Sequence, residues 1–266
     1  MTLPRLLDRM DDAVRLLSAR PAALFLDIDG TLADIAPRPG DAAVPPAVSA
    51  GLAALAERLT VAVLTGRSVA DARRMVGVEA AVYAGNHGAE WWEAGRAAAA
   101  PEVAPYLPAL RALAEEAARR FPEGGGFIVE DKGASLSLHF RLAADPERAR
   151  AEALAFARDA GASSGLRAFE GKMVVEVRAP VEVSKGTALA RVAAERGIKA
   201  AAALGDDTTD IAMFAALRGL REQGALEGFA AAVLGEHTPP ALLEAADYVL
   251  DGPAEARRFI RWVAEG

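Results

Sequence analysis

A chain of 266 residues that is 52% hydrophobic and 25% charged has the apolar content for one large or two modest folded domains, and too much to stay disordered. Its net charge of −7 leaves no basic stripe to displace phosphate counterions, which excludes nucleic acid as the expected partner. The absence of cysteine excludes disulfides, thiolate zinc sites and cysteine nucleophiles. Acidic residues run through the apolar part of the first 23 residues, unlike a signal peptide, and no run of about 18 uncharged apolar residues offers a membrane span. The expectation is a cytoplasmic monomer with no membrane partner.

In chain order, an amphipathic helix precedes a short apolar strand over 22–28. Helical periodicity covers 48–59, and 61–64 reads as a second buried strand ending at Thr65-Gly66-Arg67. Ser68 has the character of an N-cap for a helix to about residue 76, and 80–84 is a third strand ending at Gly85-Asn86-His87-Gly88. Apolar strands alternating with helices predict a parallel sheet covered on both faces. Trp91 and Trp92 fit the packing of a small β-hairpin. The rhythm then changes. Residues 97–108 read as a linker, 107–121 as a helix, and 127–130 and 135–140 as half-buried antiparallel strands. A helix over 146–160 and a strand pair, 166–169 with 173–177, follow. From 183 the first rhythm returns, with helix 185–196, strand 200–204, helix 209–217, strands 229–234 and 248–250, and a closing helix 254–264. The predicted organisation is a Rossmann-like α/β core over 1–103 and 182–266, with a small α/β domain inserted over 104–181.

Four of the core strands end in polar clusters, and a parallel sheet brings its carboxyl-terminal strand ends to one edge, where ligands bind. Asp27, Asp29, Asp206, Asp207 and Asp210 make that edge oxygen-rich and anionic, which suits a hard cation such as Mg²⁺. Lys185, the helix it opens and the amides of the Gly30-Thr31 and Thr65-Gly66 turns supply positive charge for an anion. A carboxylate can attack phosphorus as a nucleophile, and an acid two residues away can protonate the leaving oxygen and then activate water. Taken singly, each segment has an ordinary explanation: Asp and Gly favour turns, and the Asp206–Asp210 segment could merely cap a helix. Taken together they describe Mg²⁺-assisted phosphoryl transfer to an aspartate.

Asp27-Ile28-Asp29-Gly30-Thr31, Thr65, Lys185 and Gly205-Asp206-Asp207-x-x-Asp210 resemble, in order, the four motifs of the haloacid dehalogenase-like phosphohydrolases. More narrowly, "LTGRS", "YAGNHGAE", "VEDKGASLSLHFR", "EGKMVVEVRAP", "SKGTALARV" and "LGDDTTDIAMF" are similar to stretches of the trehalose-6-phosphate phosphatases. The resemblance implies that Asp27 is the nucleophile and Asp29 the general acid/base. It implies that Mg²⁺ is held by the Asp27 side chain, the Asp29 carbonyl and Asp206, and that Thr65 and Lys185 bind the phosphoryl group. It further implies that the inserted domain is a cap whose Glu130, Lys132, Lys172 and Glu176 bind sugar hydroxyls, aided by His139 and Arg141, while Arg67, Asn86 and His87 line the core side. One departure stands in the fourth motif, where Ile211 replaces the glutamate common in such phosphatases. The partner implied is a small sugar phosphate. The competing expectations are a phosphatase of another sugar phosphate, such as mannosyl-3-phosphoglycerate or sucrose phosphate, and a non-catalytic sugar-phosphate-binding regulatory subunit.

Overall fold

The computed structural model describes residues 3–36, 39–122, 124–171 and 173–266. Two compact units divide the chain, Met1–Ala98 with Val183–Gly266, and Ala99–Glu182.

In chain order the first unit begins with α1 (Met10–Ser18), β1 (Ala22–Leu26), α2 (Pro46–Ala56), β2 (Thr60–Leu64), α3 (Val69–Val76), β3 (Val82–Gly85), β4 (Glu90–Glu93) and β5 (Arg96–Ala99). The inserted unit supplies α4 (Leu107–Arg120), β6 (Ile128–Asp131), β7 (Ser135–His139), α5 (Pro146–Ser164), β8 (Arg167–Gly171) and β9 (Val174–Arg178). The chain then returns with α6 (Lys185–Glu195), β10 (Ala200–Gly205), α7 (Asp210–Glu222), β11 (Glu227–Val233), α8 (Pro240–Ala245), β12 (Tyr248–Leu250) and α9 (Pro253–Glu265).

The first unit is built on one sheet in the order β12-β11-β10-β1-β2-β3-β4-β5, parallel from β12 to β3 and antiparallel at β3–β4. β1 and β10 are buried along their whole length, which is why both read as unbroken apolar runs. On one face Leu24, Leu26, Val61, Val63 and Leu204 share a core with Leu17 of α1, Leu52 and Leu55 of α2 and Phe259 and Ile260 of α9. Strand order runs outward in opposite directions from the β1–β10 pair. That reversal is a topological switch point, and the loops after β1, β2, β3 and β10 leave the sheet on its edge there.

The inserted unit is a four-stranded sheet, β6-β7-β9-β8, antiparallel throughout. The helices α4 and α5 pack on one face of it, against Leu136, Leu138, Val175 and Val177. Alternation along each strand therefore turns Glu130, Ser135, Ser137, His139 and Glu176 to the opposite face.

Some elements differ from the sequence expectation. The first strand stops at Leu26 rather than 28, leaving Asp27 at the head of the loop. Part of the alanine run read as linker is β5, because Ala94 (φ 50°) and Gly95 (φ 79°) form the tight left-handed turn that folds it back beside β4. The helix α5 runs four residues further than 146–160, to Ser164, and α8 has no counterpart in the sequence reading.

Candidate active site

Past β1 the chain turns sharply. The carbonyl of Ile28 accepts from the amides of Thr31, Leu32 and Ala33, and Gly30 sits at φ 73°. A Cβ on Gly30 would lie 2.0 Å from Asp206 Oδ2, so only glycine lets the β10 loop approach the β1 loop this closely. Two more loops are clipped to each other. The amide of Asn86 donates to the Arg67 carbonyl (2.8 Å) and that of His87 to the Thr65 carbonyl (2.9 Å). Gly85 is required there, since a Cβ would stand 2.6 Å from the Val69 nitrogen and 2.8 Å from the Arg67 carbonyl oxygen. Asn86 and His87 hold left-handed φ values of 48° and 58° in this tight turn. Both are uncommon for residues with a side chain. The Thr65 hydroxyl oxygen accepts from the Arg67 amide at 3.2 Å.

Lys185 opens α6, whose N-terminus is closed by a reciprocal pair: the Ser184 hydroxyl accepts from the Thr187 amide, and the Thr187 hydroxyl accepts from the Ser184 amide. At Gly186 a Cβ would meet the Ala212 carbonyl oxygen at 2.4 Å, so α6 and α7 touch backbone to backbone. That approach aims Lys185 into the interior, where it is 2% exposed. Its Nζ lies 2.8 Å from Asp27 Oδ1 and 2.8 Å from Asp210 Oδ1. An ammonium has three N–H donors, so one is left over for an incoming oxygen.

Asp210 is wholly buried and accepts three hydrogen bonds. One oxygen takes Lys185, and the other accepts from the amides of Asp206 (3.0 Å) and Asp207 (3.1 Å). Asp207 turns outward and accepts from the Thr209 amide and hydroxyl, both at 2.7 Å. Asp29 is held by a bidentate fork: Arg67 Nε and Nη2 donate to its two oxygens at 2.6 Å each.

Oxygens of Asp27, Asp206 and Asp210 come within 4.8 Å of one another. Three hydrogen bonds already engage Asp210, whereas Asp206 Oδ1 is buried without a hydrogen-bond partner among the described residues. A buried carboxylate oxygen left unpaired costs free energy, and a hard divalent cation held by Asp27 and Asp206 would remove that cost. The electrostatics agree. Burial pushes Asp27 well above the ordinary carboxylate range, despite the opposing pull of Lys185. Burial, then Asp210 and Asp207, push Asp206 up to about 7. Burial also raises Asp210. Asp207 alone moves down: its own burial acts upward, but Lys185 and the Thr209 hydrogen bonds outweigh it. Lys185 is held charged because Asp27 and Asp210 overcome its desolvation.

Asp27, Asp29, Thr65, Arg67, Asn86, His87, Lys185 and Asp206 all lie on the loops and helix start at this edge of the first unit. On the open face of the inserted sheet, His139 Nε2 is 3.0 Å from Glu130 Oε2, and Lys132 Nζ stands 3.8 Å from Glu130 and 3.9 Å from Glu176. The Ser135 hydroxyl donates to Glu176 Oε1 at 3.0 Å, a contact the sequence reading does not contain. Arg141 sits exposed in the turn after β7, and Lys172 lies outside the described residues.

A Rossmann-like sheet with a buried Asp–Lys–Asp cluster at its switch point and an α/β unit inserted after β5 is the fold of the haloacid dehalogenase-like phosphatases. A solved structure described as a trehalose-6-phosphate phosphatase related protein superposes with a TM-score of 0.72, covering 91% of this chain and 97% of that one at 23% identity. Residues 25–241 match the family model of the trehalose-phosphatases. A trehalose-phosphate phosphatase of Mycobacterium avium is 37% identical over 264 residues, 94% of this chain, and this chain spans 63% of that protein's length. A Sinorhizobium fredii protein named "Probable trehalose-phosphate phosphatase" is 38% identical over 198 residues, 72% of each chain. The chain belongs to the trehalose-phosphatase family.

Proposed function

We propose that this chain hydrolyses trehalose 6-phosphate to trehalose and phosphate. The observation that carries the chemistry is the Asp27–Lys185–Asp210 cluster beside the unpartnered Asp206 oxygen, and family membership carries the substrate. The Asp27 oxygen attacks phosphorus as the ester P–O bond breaks, leaving the phosphoryl group on the carboxylate. Asp29 gives its proton to the departing sugar oxygen, then takes one from the water that attacks the phosphoryl group and frees Asp27. Each Asp29 oxygen accepts one bond from Arg67 and keeps a second lone-pair site through which the proton can be carried. The third donor of Lys185 and the Thr65 hydroxyl hold the phosphoryl oxygens. Mg²⁺ would be held by the Asp27 carboxylate, the Asp29 carbonyl and Asp206, and it supplies neutralisation of the phosphoryl charge. Glu130, Lys132, His139, Arg141, Lys172 and Glu176 bind sugar hydroxyls, with Asn86 and His87 as further substrate contacts.

The raised carboxylates make the metal linkage depend on pH. A carboxyl whose folded pKa exceeds its unfolded value near 3.8 favours folding while protonated, and that advantage is lost as pH rises through about 7 for Asp206. Mg²⁺ held by the deprotonated pair would restore the loss. Thermal unfolding should therefore show Mg²⁺ raising Tm more at pH 8 than at pH 5, with chelation reversing it; equal gains at both would contradict the Asp27–Asp206 site.

The test of the substrate is phosphate release over a panel of sugar phosphates. Trehalose 6-phosphate should give the highest kcat/KM, by at least about tenfold over sucrose phosphate, mannosyl-3-phosphoglycerate and glucose 6-phosphate. Equal turnover across the panel would contradict the assignment, and no turnover of any member would favour a regulatory subunit.

A further inference from the structure

Among the described residues on the face of the inserted sheet that carries Glu130 and Glu176, Phe169 is an aromatic side chain that neither the ion-pair network nor the proposed hydroxyl contacts use. A single register line crosses all four strands through Glu130, Ser137, Glu176 and Phe169. Three members are hydrogen-bonding groups; the fourth is an aromatic ring. Phe169 is 37% exposed and points away from α4 and α5. The guanidinium of Arg178, two residues past Glu176 on β9, lies 3.9 Å from the ring centroid. The stack covers one face of the ring and leaves part of it exposed on the strand position paired with Glu176.

Arg178 shields one face of the phenyl ring, and the part left in water is apolar surface that a ligand could cover. A sugar ring is polar around its rim and apolar across its C–H faces. It is held by in-plane hydrogen bonds together with a flat apolar surface against one face, the combination of polar anchors and aromatic lining found in small-molecule sites. Glu130 and Glu176 supply the first and Phe169 the second.

We infer that Phe169, fixed by Arg178, is the platform on which a sugar ring of the substrate stacks, and so is a specificity-determining residue next to Glu176. This rests on the sugar-phosphatase reading above and adds to it the residue that distinguishes ring-bearing substrates from small phosphates.

The experiment measures steady-state phosphate release by the intact chain with Mg²⁺, for wild type, Phe169→Leu and Phe169→Tyr. The substrates are trehalose 6-phosphate and acetyl phosphate, which has no ring. Phe169→Leu keeps apolar bulk but loses the flat face. It should raise KM for trehalose 6-phosphate about three- to tenfold with kcat within about twofold, and leave acetyl phosphate kinetics unchanged. Phe169→Tyr keeps the plane and should stay within about twofold of wild type. An unchanged sugar-phosphate KM in Phe169→Leu, with or without a lower Tm, overturns the inference and leaves a strand-packing contact. An equal rise for both substrates also overturns it. The substrate assignment is read separately in the wild type. If another sugar phosphate is preferred and Phe169→Leu raises KM for that one, the platform stands and the trehalose assignment falls. A wild type that prefers no sugar phosphate over acetyl phosphate overturns both.

Discussion

Phosphate release should fall by at least about 10³-fold in an Asp27→Asn variant, while the fold survives intact. An amide oxygen can still accept the Lys185 hydrogen bond at 2.8 Å, but it is far too weak a nucleophile to take the phosphoryl group. The native carboxylate is expensive to keep charged, because burial outweighs Lys185 and holds its pKa well above the ordinary range. A neutral isostere removes that cost. Lys185 keeps Asp210 as its counter-ion, so no buried cation is left unpaired. Tm should hold or rise as activity disappears, a separation that a purely structural role for Asp27 would not produce. Turnover in Asp27→Asn within about 10²-fold of wild type, or its collapse to an unfolded chain, would contradict the proposed division of labour.

The largest effect on stability is expected at Asp210, a residue that touches no reacting atom in the proposal. Asp210→Ala deletes the acceptor for Lys185 and for the amides of Asp206 and Asp207 at one stroke. Asp27 still pairs Lys185, so the cost is that of leaving one ammonium donor and the two loop amides without their acceptor, about 3–5 kcal/mol in all. For a chain of this size that corresponds to a Tm drop of roughly 10 °C. The loop carrying Asp206 loses its anchor as well, so the Mg²⁺-dependent gain in Tm should shrink in parallel. Circular dichroism melts with and without Mg²⁺ read both effects. A melt within about 2 °C of wild type would show that the Lys185–Asp210 pair carries little of the stability assigned to it.

These two residues also mark where sequence is legible and where it is not. Asp27, Asp29 and Asp206 stand out along the chain because carboxylates clustered at the ends of buried apolar strands serve no packing purpose. The strands themselves are legible because β1, β2 and β10 have helices on both sides and need uninterrupted apolar runs. Asp210 looks like any acidic residue in the first turn of a helix. Its role depends on the backbone contact of α6 with α7 at Gly186, a tertiary feature with no local signature. The Arg67–Asp29 fork joins residues 38 positions apart and is equally invisible in either segment alone. In the inserted unit the alternation of strands 128–131 and 135–139 announces a half-buried sheet, but not that Ser135 ties down Glu176 or that Phe169 faces outward in register with it. The alanine run read as linker becomes β5 because pairing with β4 is decided by the turn at Ala94-Gly95 rather than by the weak strand preference of alanine.

The central claim is that the phosphoryl group passes through the Asp27 carboxylate. Acid-quenching the enzyme during turnover of trehalose 6-phosphate, reducing with borohydride and mapping peptides by mass spectrometry tests it most directly, since reduction of an acyl phosphate converts its aspartate to homoserine. The account predicts homoserine at position 27 and nowhere else, present only with substrate and absent in Asp27→Asn. Homoserine at another aspartate, or none during active turnover, would contradict it.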